Sequence, residues 1–149
     1  MKIEAEIRQK EFRNEYQKAA INLVFTNNWL MAKHQNFFTH YGITHKQYNV
    51  LRILKGQYPN SISTSDIRDR MLDKSSDSSR IVDRLAGRDL VIKRVCPSDK
   101  RLVDVSITDR GLNLLNTIDS NIQELDKFTA SLSEDEARQL NVLLDKIRG

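Results

Sequence analysis

The sequence predicts a mainly α fold carrying one small β-hairpin, and three observations lead there. Apolar residues recur at helical spacing over most of the 149 residues. Two short β-branched runs, 91–95 and 102–107, flank a charged loop. Cap signals cut the rest of the chain into helices of ordinary length. The hairpin follows directly on two short helices. That order (helix, tight turn, helix, strand, loop, strand, helix) is the layout of a winged helix-turn-helix, here flanked by long N- and C-terminal helices.

The first long helix is expected over about residues 12–41. Tyr16, Ala20, Leu23, Asn27, Leu30, His34, Phe37 and Tyr41 recur at alternating steps of four and three, a heptad-like seam. Val24, Met31 and Phe38 mark a second line beside it. A helix of ~30 residues spans about 45 Å, more than a small domain needs to cover its own core. A second copy of the chain is the simplest occupant for the surplus apolar face.

Thr44 and Gln47 then form a capping box, with Ile43 and Tyr48 at the hydrophobic-staple positions. Val50, Leu51 and Leu54 give this helix its buried face, and Gly56 ends it. Residues 57–62 read as a loop. Ser63 and Asp66 cap a short helix running through Ile67 to about Met71, and 73–75 turn tightly into a helix over about 76–88.

In the second strand Val103, Val105 and Ile107 share one face, and Leu102, Asp104 and Ser106 the other. Thr108 starts the next helix, with Ile107 and Leu112 at staple positions and Leu115, Ile118, Ile122 and Leu125 continuing its stripe. Ser133 and Glu136 form a capping box for a last helix with the buried line Ala137, Leu140, Leu144 and Ile147. The expected division is an N-terminal dimerisation helix (1–42), a winged helix-turn-helix (43–110) and C-terminal dimerisation helices (111–149), forming one intertwined unit.

Composition narrows the function. With 39% hydrophobic and 30% charged residues the chain is globular rather than disordered. The opening residues are charged throughout and lack the apolar core of a signal peptide. No apolar run approaches the roughly 18 residues of a membrane span. A single cysteine cannot form an internal disulfide and fits a reducing cytoplasm. His34, His40 and His45 lack the i, i+4 spacing of a helical metal pair, and no nucleophile elbow or phosphate-cradling glycine loop is present. Neither an enzyme nor a cofactor is expected. The net charge is +4, and residues 68–101 alone hold ten Lys/Arg against six Asp/Glu, an excess equal to that of the whole chain. A localised basic excess is the footprint of a phosphate-binding face.

On the helix from Ser76, Ser78, Ile81, Val82 and Leu85 should face the core. The opposite side presents Ser76, Ser79, Arg80, Asp83 and Arg84, with Ser75 and Asp77 at the entry. Small hydroxyl residues at a helix start permit close approach to DNA and can bond phosphates or base edges. Arg80 suits bidentate contact to guanine and Arg84 a backbone phosphate; Asp77 either accepts from a cytosine amino group or pairs with an arginine. The loop 96–101 is tipped by Lys100 and Arg101, and an arginine on such an arm suits a narrow minor groove. Asp99 is expected to hold Arg101 or the loop backbone in shape. Cys96 reads as a free structural thiol, with oxidant sensing through cations at Lys93, Arg94 and Lys100 as the sharper alternative. His34 reads as a hydrogen-bonded residue of the seam.

These residues resemble the multiple-antibiotic-resistance regulator (MarR) family of winged-helix transcription factors from about residue 43 to 147. The pattern lies in Asp99-x-Arg101 followed by Val105, Ile107-Thr108 and Gly111, preceded by Ile81-Val82-Asp83-Arg84-Leu85. Leu132-Ser133-Glu134 with Leu140 and Leu144 completes it. The resemblance implies a homodimer with intertwined terminal helices that binds a pseudo-palindromic double-stranded DNA operator, usually as a repressor. It also implies release by a small phenolic or aromatic effector, or by cysteine oxidation, and carries DNA contact over to Ser76, Asp77, Ser79, Arg80, Arg84 and Arg101, with Asp99 positioning the last. Trp29, Lys33 and Tyr48 read as ordinary core or surface residues, with the lining of an effector pocket as the sharper alternative. Two positions depart from the pattern: Asp89 stands where the family usually has glycine, and Cys96 lies beside the wing rather than in the first helix. Asp tolerates a left-handed turn, so the same turn is expected at about 1 kcal/mol of cost. The competing reading is a winged-helix adaptor that acts through protein contacts without DNA.

Overall fold

The computed structural model describes residues 1–149. In chain order it contains α1 (Ile3–Glu6), α2 (Glu15–Thr39), α3 (His45–Lys55), β1 (Ile62–Ser63), α4 (Thr64–Arg70), α5 (Ser78–Ala86), β2 (Val91–Val95), β3 (Val103–Ile107), α6 (Asp109–Asp119), α7 (Gln123–Asp126) and α8 (Glu134–Arg148). The fold is mainly helical with a three-stranded antiparallel sheet in the order β1-β3-β2.

Local chemistry sets most of the boundaries. Helix α2 starts three residues later than the expected residue 12, because the Asn14 side chain accepts from Gln17 N and caps it there. It ends where Gly42 takes φ +69°. At the start of α3 both halves of the Thr44/Gln47 capping box form, and α8 opens on the equivalent Ser133/Glu136 box. The Ser133 backbone N–H and hydroxyl, bonded to Glu136, hold its carboxyl below the usual range.

Three features differ from the sequence reading. Helix α1 is one short turn that was not expected, and β1 occupies the end of the expected loop 57–62. The ladder explains β1: Ile62 pairs with Val105 and Ser63 with Asp104, so the two-residue strand exists only through β3. The expected continuous helix from Thr108 to Leu125 is split into α6 and α7. Near the break the Thr117 and Ser120 hydroxyls donate back to the carbonyls of Asn113 and Asn116, and Asp119 is drawn to Arg52 and Lys55 of α3.

One core runs through the winged helix. Val50, Leu51 and Leu54 of α3, Ile67 and Met71 around α4, Val82 and Leu85 of α5, and Leu115 and Ile118 of α6 are all essentially inaccessible. The faces of β3 divide as its alternation predicts, with Val105 and Ile107 buried and Asp104 exposed. The flanking helices behave differently. Helix α2 buries only Phe38, and α8 buries no residue. Tyr16, Val24, Leu140, Val142, Leu143 and Ile147 are exposed.

Candidate nucleic-acid interface

Helix α5 begins at Ser78, two residues after the expected start, because Asp77 is its cap and accepts from Arg80 N at 3.1 Å. The inward line is as the periodicity predicts: Ser78, Val82 and Leu85 are buried and Ile81 half-buried. Ser79, Arg80, Asp83 and Arg84 are exposed, as are Ser75 and Asp77 in the turn before the helix. Ser76 is the exception. It is only 7% exposed, and its hydroxyl lies buried without a protein partner. The later helix start places Ser76 in the turn, where its N–H donates to the carbonyl of Asp73 at 3.2 Å. It is not on the outward face.

The acidic residues on this surface are each occupied. Asp77 lies 3.8 Å from the Arg80 guanidinium as well as capping the helix. Asp83 pairs at 2.5 Å with Lys93 of β2, which ties the sheet to α5. Arg80 remains largely exposed and Arg84 is exposed. The side chain of Ser78 adds a 3.4 Å bond to Thr64 O, joining α5 to α4.

Strands β2 and β3 pair from Val91↔Ile107 to Val95↔Val103, and the Cys96 N–H adds one further bond to Leu102 O at 2.9 Å. At the tip Asp99 accepts from Arg101 three times: from N at 3.0 Å, Nε at 3.0 Å and Nη2 at 3.1 Å. One carboxylate thus fixes both the backbone and the guanidinium, while the Arg101 side chain stays 91% exposed. The same contacts lower the Asp99 carboxyl below its ordinary range. Lys100 is exposed beside it. Cys96 is a half-buried free thiol whose acidity rises through the Ser98 hydroxyl, then the N–H groups of Asp99 and Ser98. Burial and the Asp104 carboxylate act against that shift.

The wing is rooted by a tight joint. Asp89 takes φ +57°, the left-handed turn expected there. Leu90 N donates to Leu85 O and Thr108 N to Leu90 O, while the Thr108 hydroxyl donates to Asp89 O at 2.7 Å and accepts from Gly111 N. Gly111 approaches so closely that an added Cβ would lie 2.4 Å from the Leu90 carbonyl. Arg88 Nη1 donates to Gly42 O at 2.5 Å, joining the end of α5 to the end of α2.

A cleft of about 860 Å3 opens between α2, α3 and the turn after α4, with Met31, Ala32, Met71 and Leu72 as apolar lining and Lys46 and Asp73 at its edge. Trp29, Lys33 and Tyr48 do not line it. Tyr48 is stacked on Phe38 at 4.3 Å, and Trp29 meets Phe128 edge-on. Nor is His34 hydrogen-bonded at Nδ1, which is buried without a protein partner; its ring packs on His45 and Phe128.

A helix pair with an exposed basic face and an arginine-tipped hairpin, braced on one core, defines a winged-helix DNA-binding transcription regulator. A sequence profile described as MarR family matches residues 41–102. The chain is 30% identical over 118 residues to the HTH-type transcriptional regulator MhqR of Bacillus subtilis, covering 76% of this chain and 79% of that protein. A MarR transcription factor from Planctomyces limnophilus superposes with a TM-score of 0.70 at 30% identity, over 91% of this chain and 98% of that one. A mutant MarR from E. coli, solved in complex with operator DNA, has a similar fold, with a TM-score of 0.78 at 24% identity over 93% and 99% of the two chains. The chain belongs to the MarR family, a family of transcription regulators and not of enzymes.

Proposed function

We propose that the protein is a homodimeric repressor that binds a pseudo-palindromic operator with one winged helix on each half-site. In this reading residues 43–110 read DNA, and residues 1–42 and 111–149 hold the two copies together in the cytoplasm. Ser79, Arg80 and Arg84 enter the major groove with Ser75 and Asp77 at the helix entry. Arg101 reaches the adjacent minor groove, with Asp99 holding it and Lys100 beside it. The carrying observation is the three-bond grip of Asp99 on an otherwise exposed Arg101, a cation presented in one orientation with no second protein partner to serve. Support for the dimer comes from α8, an apolar-striped helix of 15 residues with none buried. Two such faces brought together would be covered as an obligate interface is.

Release by a small aromatic or phenolic effector belongs to the same reading. The cleft between α2 and α3 supports it, because it joins an arm helix to the turn before α5 and has an apolar lining. The test is a gel-shift series against DNA upstream of the protein's own gene. Arg80→Ala with Arg101→Ala should abolish the specific complex, and affinity should fall steeply with salt. Unchanged binding by the double variant would overturn the contact assignment, and a salt-insensitive complex would favour the adaptor. Aromatic acids added to the preformed complex should release DNA.

A further inference from the structure

Helix α3 grips the turn between α4 and α5 with two side chains one helical turn apart. Asn49 Oδ1 accepts from Leu72 N at 2.9 Å, and Lys46 Nζ lies 2.7 Å from Asp73 Oδ2. Asp73 passes the constraint forward. Its Oδ1 accepts from Ser75 N at 2.9 Å and Ser75 Oγ at 2.6 Å, and its carbonyl accepts from Ser76 N. Asp77 then caps α5. The approach to the first turn of α5 is therefore tied to α3, whose Val50, Leu51 and Leu54 are locked in the core. The ammonium of Lys46 and the bonds from Ser75 hold the Asp73 carboxyl far below its usual range, so the pair stays charged.

That charge is not needed for the turn itself, because an asparagine carbonyl would accept from Ser75 equally well. A carboxylate beside a surface that meets phosphates also opposes binding. Its presence calls for a compensating task, and the Lys46 pair supplies one.

We propose that Lys46 and Asp73 are positioning residues for DNA reading: their ion pair fixes the turn at 72–76, and with it the seating of α5, without either residue touching the duplex. The inference rests on the DNA-binding reading of α5. It differs in sign from the obvious alternative, in which Lys46 itself meets a phosphate. In that case neutralising Asp73 frees the lysine, removes a repulsion and tightens binding. For a positioning pair, the same change loosens it.

The experiment measures operator affinity of the full-length protein by fluorescence anisotropy, on a duplex selected from random DNA. The variants are Asp73→Asn, Lys46→Gln, Lys46→Arg and the Lys46→Gln/Asp73→Asn double. A half-exposed ion pair shifts an equilibrium by up to about fivefold, and a dimer using two copies of α5 squares that to about 25-fold. Asp73→Asn and Lys46→Gln should each weaken binding within that range, Lys46→Arg should restore most of it, and the double variant should be no weaker than the weaker single. Tighter or unchanged binding by Asp73→Asn overturns the proposal, as do single effects that add. Hydrogen exchange without DNA provides a second readout: Lys46→Gln should speed exchange at the Ser75 and Ser76 amides far more than at the core amides of Val50, Leu51 and Leu54. If the wild-type protein selects no sequence, the DNA-binding reading fails on its own account. Unaltered exchange at the Ser75 and Ser76 amides would sink the clamp separately.

Discussion

Asp89 and Gly111 show how individual residues root the wing. Asp89 holds a left-handed conformation at φ +57°, a region that disfavours any residue with a Cβ. Replacing it with glycine should stabilise the fold by about 0.5 kcal/mol, the relief of strain outweighing the added freedom of the unfolded chain. Chemical denaturation would read this as a higher midpoint at constant slope. Gly111 is the opposite case. An alanine methyl would meet the Leu90 carbonyl at 2.4 Å and Ile107 Cγ1 at 2.7 Å, so backbone must move. Gly111→Ala should cost about 1–3 kcal/mol and lower the melting temperature. At the wing tip, Asp99→Ala should weaken DNA binding less than Arg101→Ala does, because it frees the guanidinium without removing it. Equal losses in anisotropy would assign Asp99 a contact of its own.

Among elements, the joint between α2 and α3 carries a pH dependence. His34 and His45 lie with ring centroids 5.3 Å apart, and burial lowers the pKa of both. The His34 ring adds to the shift at His45. The unfolded chain therefore binds more protons than the folded one as pH falls through the ordinary histidine range near 6.5. Stability should be full above that range and decline below it. The lowered carboxyls of Asp73, Asp99 and Glu136 hold their contribution until much lower pH, so they leave this window unaffected. Melting scans between about pH 7 and 5 should slope downward in the wild type and flatten in His34→Gln/His45→Gln. Four boundaries set by a side chain acting on its own backbone were legible, at Thr44, Ser63, Thr108 and Ser133, while the equally local caps at Asn14 and Asp77 shifted α2 and α5 by two or three residues from the expected starts. Boundaries were not legible where the cause lies elsewhere in the fold. The strand β1 is made by β3, and the break between α6 and α7 falls where Asp119 is drawn to Arg52 and Lys55 of α3. The packing of two large aromatic side chains shares that origin. Periodicity marks Trp29 and Tyr48 as large and amphipathic, but only the fold assigns them to Phe128 and Phe38.

For the molecule as a whole, the proposed assembly rests on apolar surface. Leu143 is 57% exposed and Ile147 64% exposed on a helix that covers none of the core. Leu143→Glu with Ile147→Glu should convert a dimer into a monomer of 17.3 kDa by light scattering, leaving the winged-helix core folded by circular dichroism. DNA affinity should fall with it, since two half-sites bound by one linked pair gain from effective concentration. The same arms contain the only tryptophan of the sequence. Trp29 sits edge-on to Phe128 at 6.4 Å, where α2 meets the segment leading into α8, and it is 42% exposed. The indole is thus a built-in optical gauge of that junction. Its emission colour will follow any change in how the first arm and the last lie against each other, with no dye attached and no residue replaced.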